Sequence, residues 1–301
     1  MPYESGHRSL GVIDIGSNSV RMVIYDLAYT PPEKIFNEKV FCALGRDLAT
    51  TGRLNAEAVS SAFKALRAYK LLSEIYQVET LKVVGTAALR DAVDGDAFIA
   101  RVKDEIGLSI RIISGDEEAG FAARGVLVFD PYADGVVADF GGGSLEFARV
   151  SRNQVHDTIS LPLGAYRVQA MGNKARENIM AYLEPLKTRF GHLDALYAIG
   201  GSWRVLAASY MKDKGDRDDL QGYSIPTPEM IEFCKQIKGM TEAGIREAYR
   251  MESHHAKQAT AAAFALEIIL KELAPREFVV STAGVRDGVA HEFLLTDRKT
   301  K

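Results

Sequence analysis

The sequence predicts an α/β protein of two related lobes that face each other across a cleft. Strand and helix patterns alternate through the chain, which argues for a layered α/β architecture. The turn Asp14-Ile-Gly-Ser-Asn-Ser19 sits between two strand patterns, and Asp139-Phe-Gly-Gly-Gly-Ser144 repeats that arrangement. Each copy opens one half of the chain, residues 1–128 and 129–301, and the last helix, about 285–297, is expected to pack back on the first lobe. The 301 residues suffice for two ordinary domains, and clefts between domains are where small ligands bind.

In order, residues 10–15 read as a buried strand, 16–19 as a turn and 21–26 as a second strand, a hairpin with a Gly/Ser/Asn tip. Residues 55–75 form an amphipathic helix, with Val59, Ala62, Phe63, Leu66 and Tyr69 on one stripe and Asn55 as N-cap. A strand at 81–84, a helix at 97–106, a strand at 109–113 and a helix at 117–128 follow. After Asp130-Pro131 the cycle restarts: strands at 136–140, 145–150 and 155–161, a helix at 175–190, a strand at 195–199 and a helix from about Trp203. Pro226 and Pro228 mark a loop. Helices at 229–238 and 255–273, a strand at 277–282 and the final helix after Gly284 complete the chain.

Hydrophobic residues make up 47% and charged residues 26%, the profile of a folded globular chain. A net charge of −3 argues against a general nucleic-acid binder; a polyanionic substrate needs a local basic site. Cys42 and Cys234 are too few and too far apart for a disulfide framework or metal cluster, and read as small buried hydrophobes in a reducing compartment. The polar start, Met1 to Ser9, carries no signal-peptide core, and no apolar run approaches a membrane span. The expected location is the cytoplasm.

The two Asp-x-Gly-x-x-Ser turns carry the chemistry. Glycines at 16, 141, 142 and 143 let backbone N–H groups approach a phosphate. Ser17, Asn18, Ser19 and Ser144 add hydrogen bonds. Asp14 and Asp139, at the strand ends, are oxygen ligands of the kind Mg²⁺ prefers. One such turn alone reads as an ordinary hairpin; two in equivalent positions favour phosphate gripping. Thr86 and Arg90, after a strand, can hold phosphate oxygens. Gly200, Gly201 and Ser202 open a helix, an anion-attracting position, and Arg286 lies in a similar turn where it reads equally as an ion-pair residue. Asp116, Glu117 and Glu118 start a helix, where the dipole alone favours acids; one of them can orient a water, and spacing does not choose among them. Alternation places Glu146 on the face of Ser144, where with Asp139 it can serve Mg²⁺ or water. His254-His255, His156-Asp157 and Trp203 read as surface or packing residues. There is no Walker-type loop and no Ser-His-Asp arrangement.

Together these segments resemble the exopolyphosphatase / guanosine pentaphosphate phosphohydrolase (Ppx/GppA) family. The matching stretches are Asp14 to Ser19, Gly85-Thr-Ala-x-x-Arg90, Ile113-Ser-Gly-x-Glu-Glu-Ala119, Asp139 to Glu146, Ser160-Leu-Pro-Leu-Gly164, Gly200-Gly-Ser202 and Gly284-Val-Arg-Asp-Gly288, in the family's order and over nearly the whole chain. The resemblance implies a two-lobed actin-like ATPase (ASKHA, ribonuclease H-like) fold and Mg²⁺-dependent release of terminal phosphate from polyphosphate, guanosine pentaphosphate or both, with Mn²⁺ as an alternative ion. It implies Glu118 as the residue that activates water, Asp139 and Glu146 near the metal, and a homodimer. The extra C-terminal helical domains of longer members do not follow Lys301, so the chain reads as a short or truncated member. Ala43-Leu-Gly-Arg46 departs from the family's Arg-Leu-Gly, which moves a basic residue of the cleft mouth to Arg46. The rival expectations are a small-molecule kinase on the same fold and a non-catalytic sensor of guanosine tetra- or pentaphosphate.

Overall fold

The structure is a computed structural model that describes residues 8–190, 193–251 and 253–300. Residues 1–7 of the polar start and the side chains of His254-His255 lie outside the described residues.

The first half runs β1 (Ser9–Ile15), β2 (Ser19–Asp26), β3 (Glu33–Phe41), α1 (Leu48–Thr51), α2 (Ala56–Ile75), β4 (Thr80–Gly85), α3 (Ala87–Asp91), α4 (Gly95–Ile106), β5 (Arg111–Ile112) and α5 (Gly115–Phe129). The second runs β6 (Gly135–Phe140), β7 (Leu145–Ser151), β8 (Gln154–Leu161), α6 (Ala165–Met171), α7 (Ala175–Phe190), β9 (Ala195–Ile199), α8 (Gly201–Lys214), β10 (Ser224–Pro226), α9 (Thr227–Gly239), α10 (Glu242–Tyr249), α11 (Ser253–Leu273), β11 (Glu277–Val280) and α12 (Val285–Thr300).

The sheets repeat one topology. The first has the order β3-β2-β1-β4-β5, the second β8-β7-β6-β9-β11, with β10 added on its edge. In both, the first three strands are antiparallel neighbours and the next two lie parallel to the first. The expected α/β fold with an inter-lobe cleft is the one found.

Burial explains the layers. β1 is covered on both faces, as parallel-paired central strands are: Ile13 and Ile15 pack with Phe63, Leu66 and Tyr69 of α2, while Leu10 and Val12 face a second cluster. That second cluster holds Phe121 and Val126 of α5 and Val285 and Val289 of α12. It also takes Val137 of β6, Ala148 of β7 and Tyr197 of β9. The α5–α12 pair therefore lies between the sheets, and the last helix does pack on α5. A third cluster joins α7, α8, α9 and α11 beneath the second sheet, with Trp203 stacked on Phe140 at 4.9 Å. Trp203 is a packing residue, and both cysteines are buried free thiols, as expected.

Helix starts follow local rules. The Asn55 side chain accepts the Ala58 N–H at 2.9 Å, and Ser114 with Glu117 closes a capping box on α5. The expected loop at Pro226 and Pro228 is corrected: Pro226 ends β10 and Pro228 lies in the first turn of α9, where the missing N–H has no helical partner to lose. β3 escapes sequence reading because its mostly exposed, charged residues follow no clean alternation; pairing with β2 makes it a strand. No helix among the described residues is long and apolar enough to cross a membrane.

Candidate active site

The two hairpins meet at the cleft. In each, the first loop glycine donates to the serine that closes the turn, Gly16 N–H to Ser19 O and Gly141 N–H to Ser144 O, both at 3.0 Å. Register is also shared: Asp14 pairs with Arg21, and Asp139 with Glu146. The loops touch. A Cβ on Gly143 would stand 2.5 Å from Ser17 Oγ and 3.2 Å from Ala87 Cβ, so any larger residue would have to displace its neighbours for the loops to close. Ser17 Oγ is buried in that seam without a hydrogen-bond partner, a donor held ready for a ligand oxygen. Gly200 has φ +106°, and a Cβ there would meet Phe140 O at 2.5 Å, which excludes other residues from this strand-to-helix turn.

One cavity of about 140 Å³ gathers nearly every residue expected from the sequence: Asp14, residues 16–19, Thr86, Glu118, Asp139, residues 141–144, Glu146 and residues 200–202. Arg90 is placed differently. It lines a neighbouring pocket, and its guanidinium donates to Glu118 Oε2 at 3.2 Å and to Ile113 O at 3.0 Å. Asn18 is engaged across the cleft: its Oδ1 accepts from Tyr166 Oη at 2.6 Å and from Gln258 Nε2 at 3.2 Å. Of the three acids at the start of α5, Asp116 is exposed, Glu117 is used in the capping box and an ion pair with Arg111, and Glu118 is buried in the cleft.

Arg46 is exposed, pairs with Asp47 and Glu57 and does not line the cavity, but its charge acts on Tyr166, which spans the cleft to Asn18. The basic lining comes from Arg21, Lys39, Arg204 and Arg286. Arg286, which in the sequence reads equally as an ion-pair residue, forms an ion pair with Asp14 at 2.5 Å. Next to it the buried Asp287 accepts from the Gly284 N–H at 2.9 Å, from Tyr25 Oη at 3.2 Å and from Lys34 Nζ at 2.7 Å. Alternation from Ser19 would have placed Arg21 on the cleft face; Lys39, Arg204, Tyr166 and Gln258 arrive from other elements and left no local signal.

Opposite charges crowd together in the cleft. Burial, then the nearby Glu146, pushes Glu118 well above the usual carboxylate range against the pull of Arg90. Burial and Asp139 push Glu146 up to about 8, although Ser160 Oγ donates to it at 2.7 Å. Desolvation raises Asp139 to about 6 while Arg286 opposes it. Burial and the fields of Arg286 and Arg204 lower Arg21 to about 10. Crowded, desolvated carboxylates call for a cation, and an all-oxygen set suits a hard one such as Mg²⁺. Among the described residues no three such side chains cluster at ligating distance, and Asp14 is held by Arg286. The donor chemistry fits an ion that keeps several waters and shares substrate oxygens.

Comparison with known proteins places this geometry in context. The model of the Ppx/GppA phosphatase family matches residues 23–297. Exopolyphosphatase 2 of Mycobacterium tuberculosis is 27% identical over 310 residues, covering 93% of this chain and 97% of its own. The crystal structure of an exopolyphosphatase from Cytophaga hutchinsonii superposes with a TM-score of 0.86 at 25% identity, covering 95% of this chain and 98% of its own. The Aquifex aeolicus Ppx/GppA family member gives a TM-score of 0.80 at 25% identity, with 96% and 98% covered.

Proposed function

Because the chain belongs to the Ppx/GppA phosphatase family, we propose that its cleft hydrolyses the terminal phosphoanhydride bond of inorganic polyphosphate, of guanosine pentaphosphate, or of both. The observation that carries this reading is Glu118: a buried carboxylate of raised proton affinity, facing the seam of two glycine loops.

The Gly16 and Gly141 N–H groups close their own turns, so the loop N–H groups at 142–144, with Ser17, Ser144 and Thr86, hold the terminal phosphoryl group in place, and positioning is most of what phosphoanhydride hydrolysis asks of a protein. Glu118 takes the proton of a water whose oxygen bonds to the terminal phosphorus. The bridging oxygen leaves with the shortened chain, and orthophosphate carries the water oxygen away. Arg90 holds the Glu118 carboxylate in position. A raised proton affinity suits a base that works near neutral pH. Asp139 and Glu146 would hold Mg²⁺, or Mn²⁺ in its place, with Asp14 close by; the ion supplies neutralisation of phosphate charge. Arg21, Arg204 and Arg286 add fixed positive charge where more of the substrate's phosphates would lie.

The test is orthophosphate release from long-chain polyphosphate and from guanosine pentaphosphate, side by side, with and without Mg²⁺. Mg²⁺-dependent release from either supports the reading, and the ratio sets the preference. Release from neither overturns it in favour of a binding protein.

A further inference from the structure

Cleavage at a chain end raises a traffic problem. The orthophosphate forms beside Glu118 while the shortened chain still occupies the cleft. Asn18, Tyr166 and Gln258 hydrogen-bond from lobe to lobe across the cleft. The cleft itself offers only about 140 Å³.

A second cavity, about 400 Å³ and open to solvent, lies on the other side of the Gly143-Ser144 loop. Both of those residues line both cavities. The partition between them is thin. Glu118 and Glu146 line the cleft, and each accepts a hydrogen bond from a residue lining the second cavity, Glu118 from Arg90 at 3.2 Å and Glu146 from Ser160 at 2.7 Å. The floor beside them has no side chain: a Cβ on Gly115 would stand 2.3 Å from Ser160 Cβ. Arg90 supplies a guanidinium to this cavity, which explains why, alone among the expected phosphate residues, it does not line the cleft.

Resting on the hydrolase reading above, we propose that this side cavity is the exit for orthophosphate. The product passes the Gly143-Ser144 loop as Arg90 and Ser160 exchange their carboxylate partners for product oxygens, and it leaves past Asp116 and Pro162, which also line the cavity. A guanidinium matches a phosphate oxygen pair well, and of the two other carboxylates lining the cavity Asp91 is already neutralised by Arg90 and Arg167 while Asp116 is exposed to solvent. The shortened chain stays in the cleft, ready to be cut again.

The test obstructs the cavity from its rim with Asp116→Trp and, separately, Pro162→Trp. Quenched flow counts bonds cut in the first turnover of polyphosphate, and a fluorescent phosphate-binding reporter counts orthophosphate free in solution. The expected result is first-turnover cleavage within about twofold of wild type, with steady-state release slowed roughly tenfold behind a burst of enzyme-held product. Free orthophosphate appearing at the wild-type rate in both variants overturns the exit. So does a parallel loss of first-turnover cleavage in both, which would make the cavity part of the reacting site. Wild-type protein that cuts neither substrate overturns the hydrolase reading, and the exit with it.

Discussion

Glu118→Gln separates the proposed base from its surroundings with the least disturbance. The amide keeps the shape and an oxygen to accept from Arg90 Nη1, but it cannot take a proton from water. A positioned base contributes about 10²–10⁴ in rate, so orthophosphate release should fall by that factor, a barrier increase of roughly 3–5 kcal/mol. Stability should not fall. Glu118 is raised by burial and by Glu146, Asp139 and Asp14, and replacing it with a neutral group relieves that crowding. The assay is orthophosphate release at saturating polyphosphate and Mg²⁺, with a thermal melt and a calorimetric polyphosphate titration beside it. Turnover within about threefold of wild type refutes the assignment. So does the same loss in Asp116→Asn, which removes an exposed acid outside the cleft.

Other consequences follow from the same geometry. Asp139 is raised to about 6 and Glu146 to about 8, so the folded protein keeps protons that the unfolded chain releases near pH 4. Metal-free stability is therefore fully present below about pH 4 and lost as pH rises through 6 and 8; a shift of about two units at Asp139 is worth roughly 3 kcal/mol. Urea unfolding in chelator at pH 5 and pH 8.5 should show the decline, and Mg²⁺ should reduce it; a flat chelator profile contradicts the crowded-carboxylate account. Gly164→Ala places a Cβ 2.4 Å from the Gly143 and Ser144 backbone. Overpacking of this kind costs roughly 1–3 kcal/mol, and the displaced loop should raise KM more than it lowers kcat; unchanged kinetics would show that the loop position is not critical.

Much of the site was legible because its parts are local. A strand, an Asp-x-Gly-x-x-Ser turn and a second strand form a unit that six residues announce, and the repetition announced the cleft. Glu146 was reachable by alternation from Ser144, and Arg21 by the same step from Ser19. The choice of Glu118 over Asp116 and Glu117 depended on which side of α5 faces the second sheet, a packing fact absent from spacing. Lys39 comes from an edge strand that only its partner defines, and Arg204, Tyr166 and Gln258 sit on helices with ordinary amphipathic patterns. Asp287 looked like one more acid in a helix's first turn; its partners Tyr25 and Lys34 lie over 250 positions earlier.

The shared register of the two hairpins has one further consequence. Arg21 stands opposite Asp14 just as Glu146 stands opposite Asp139, so a duplicated unit has changed sign at a single position. A polyanion between such walls meets both signs on either side, Arg21 and Glu118 from one half of the chain, Arg204, Asp139 and Glu146 from the other. Under the proposed function the guanidiniums grip the phosphates of the chain, and the carboxylates admit its last phosphate only in the company of a cation.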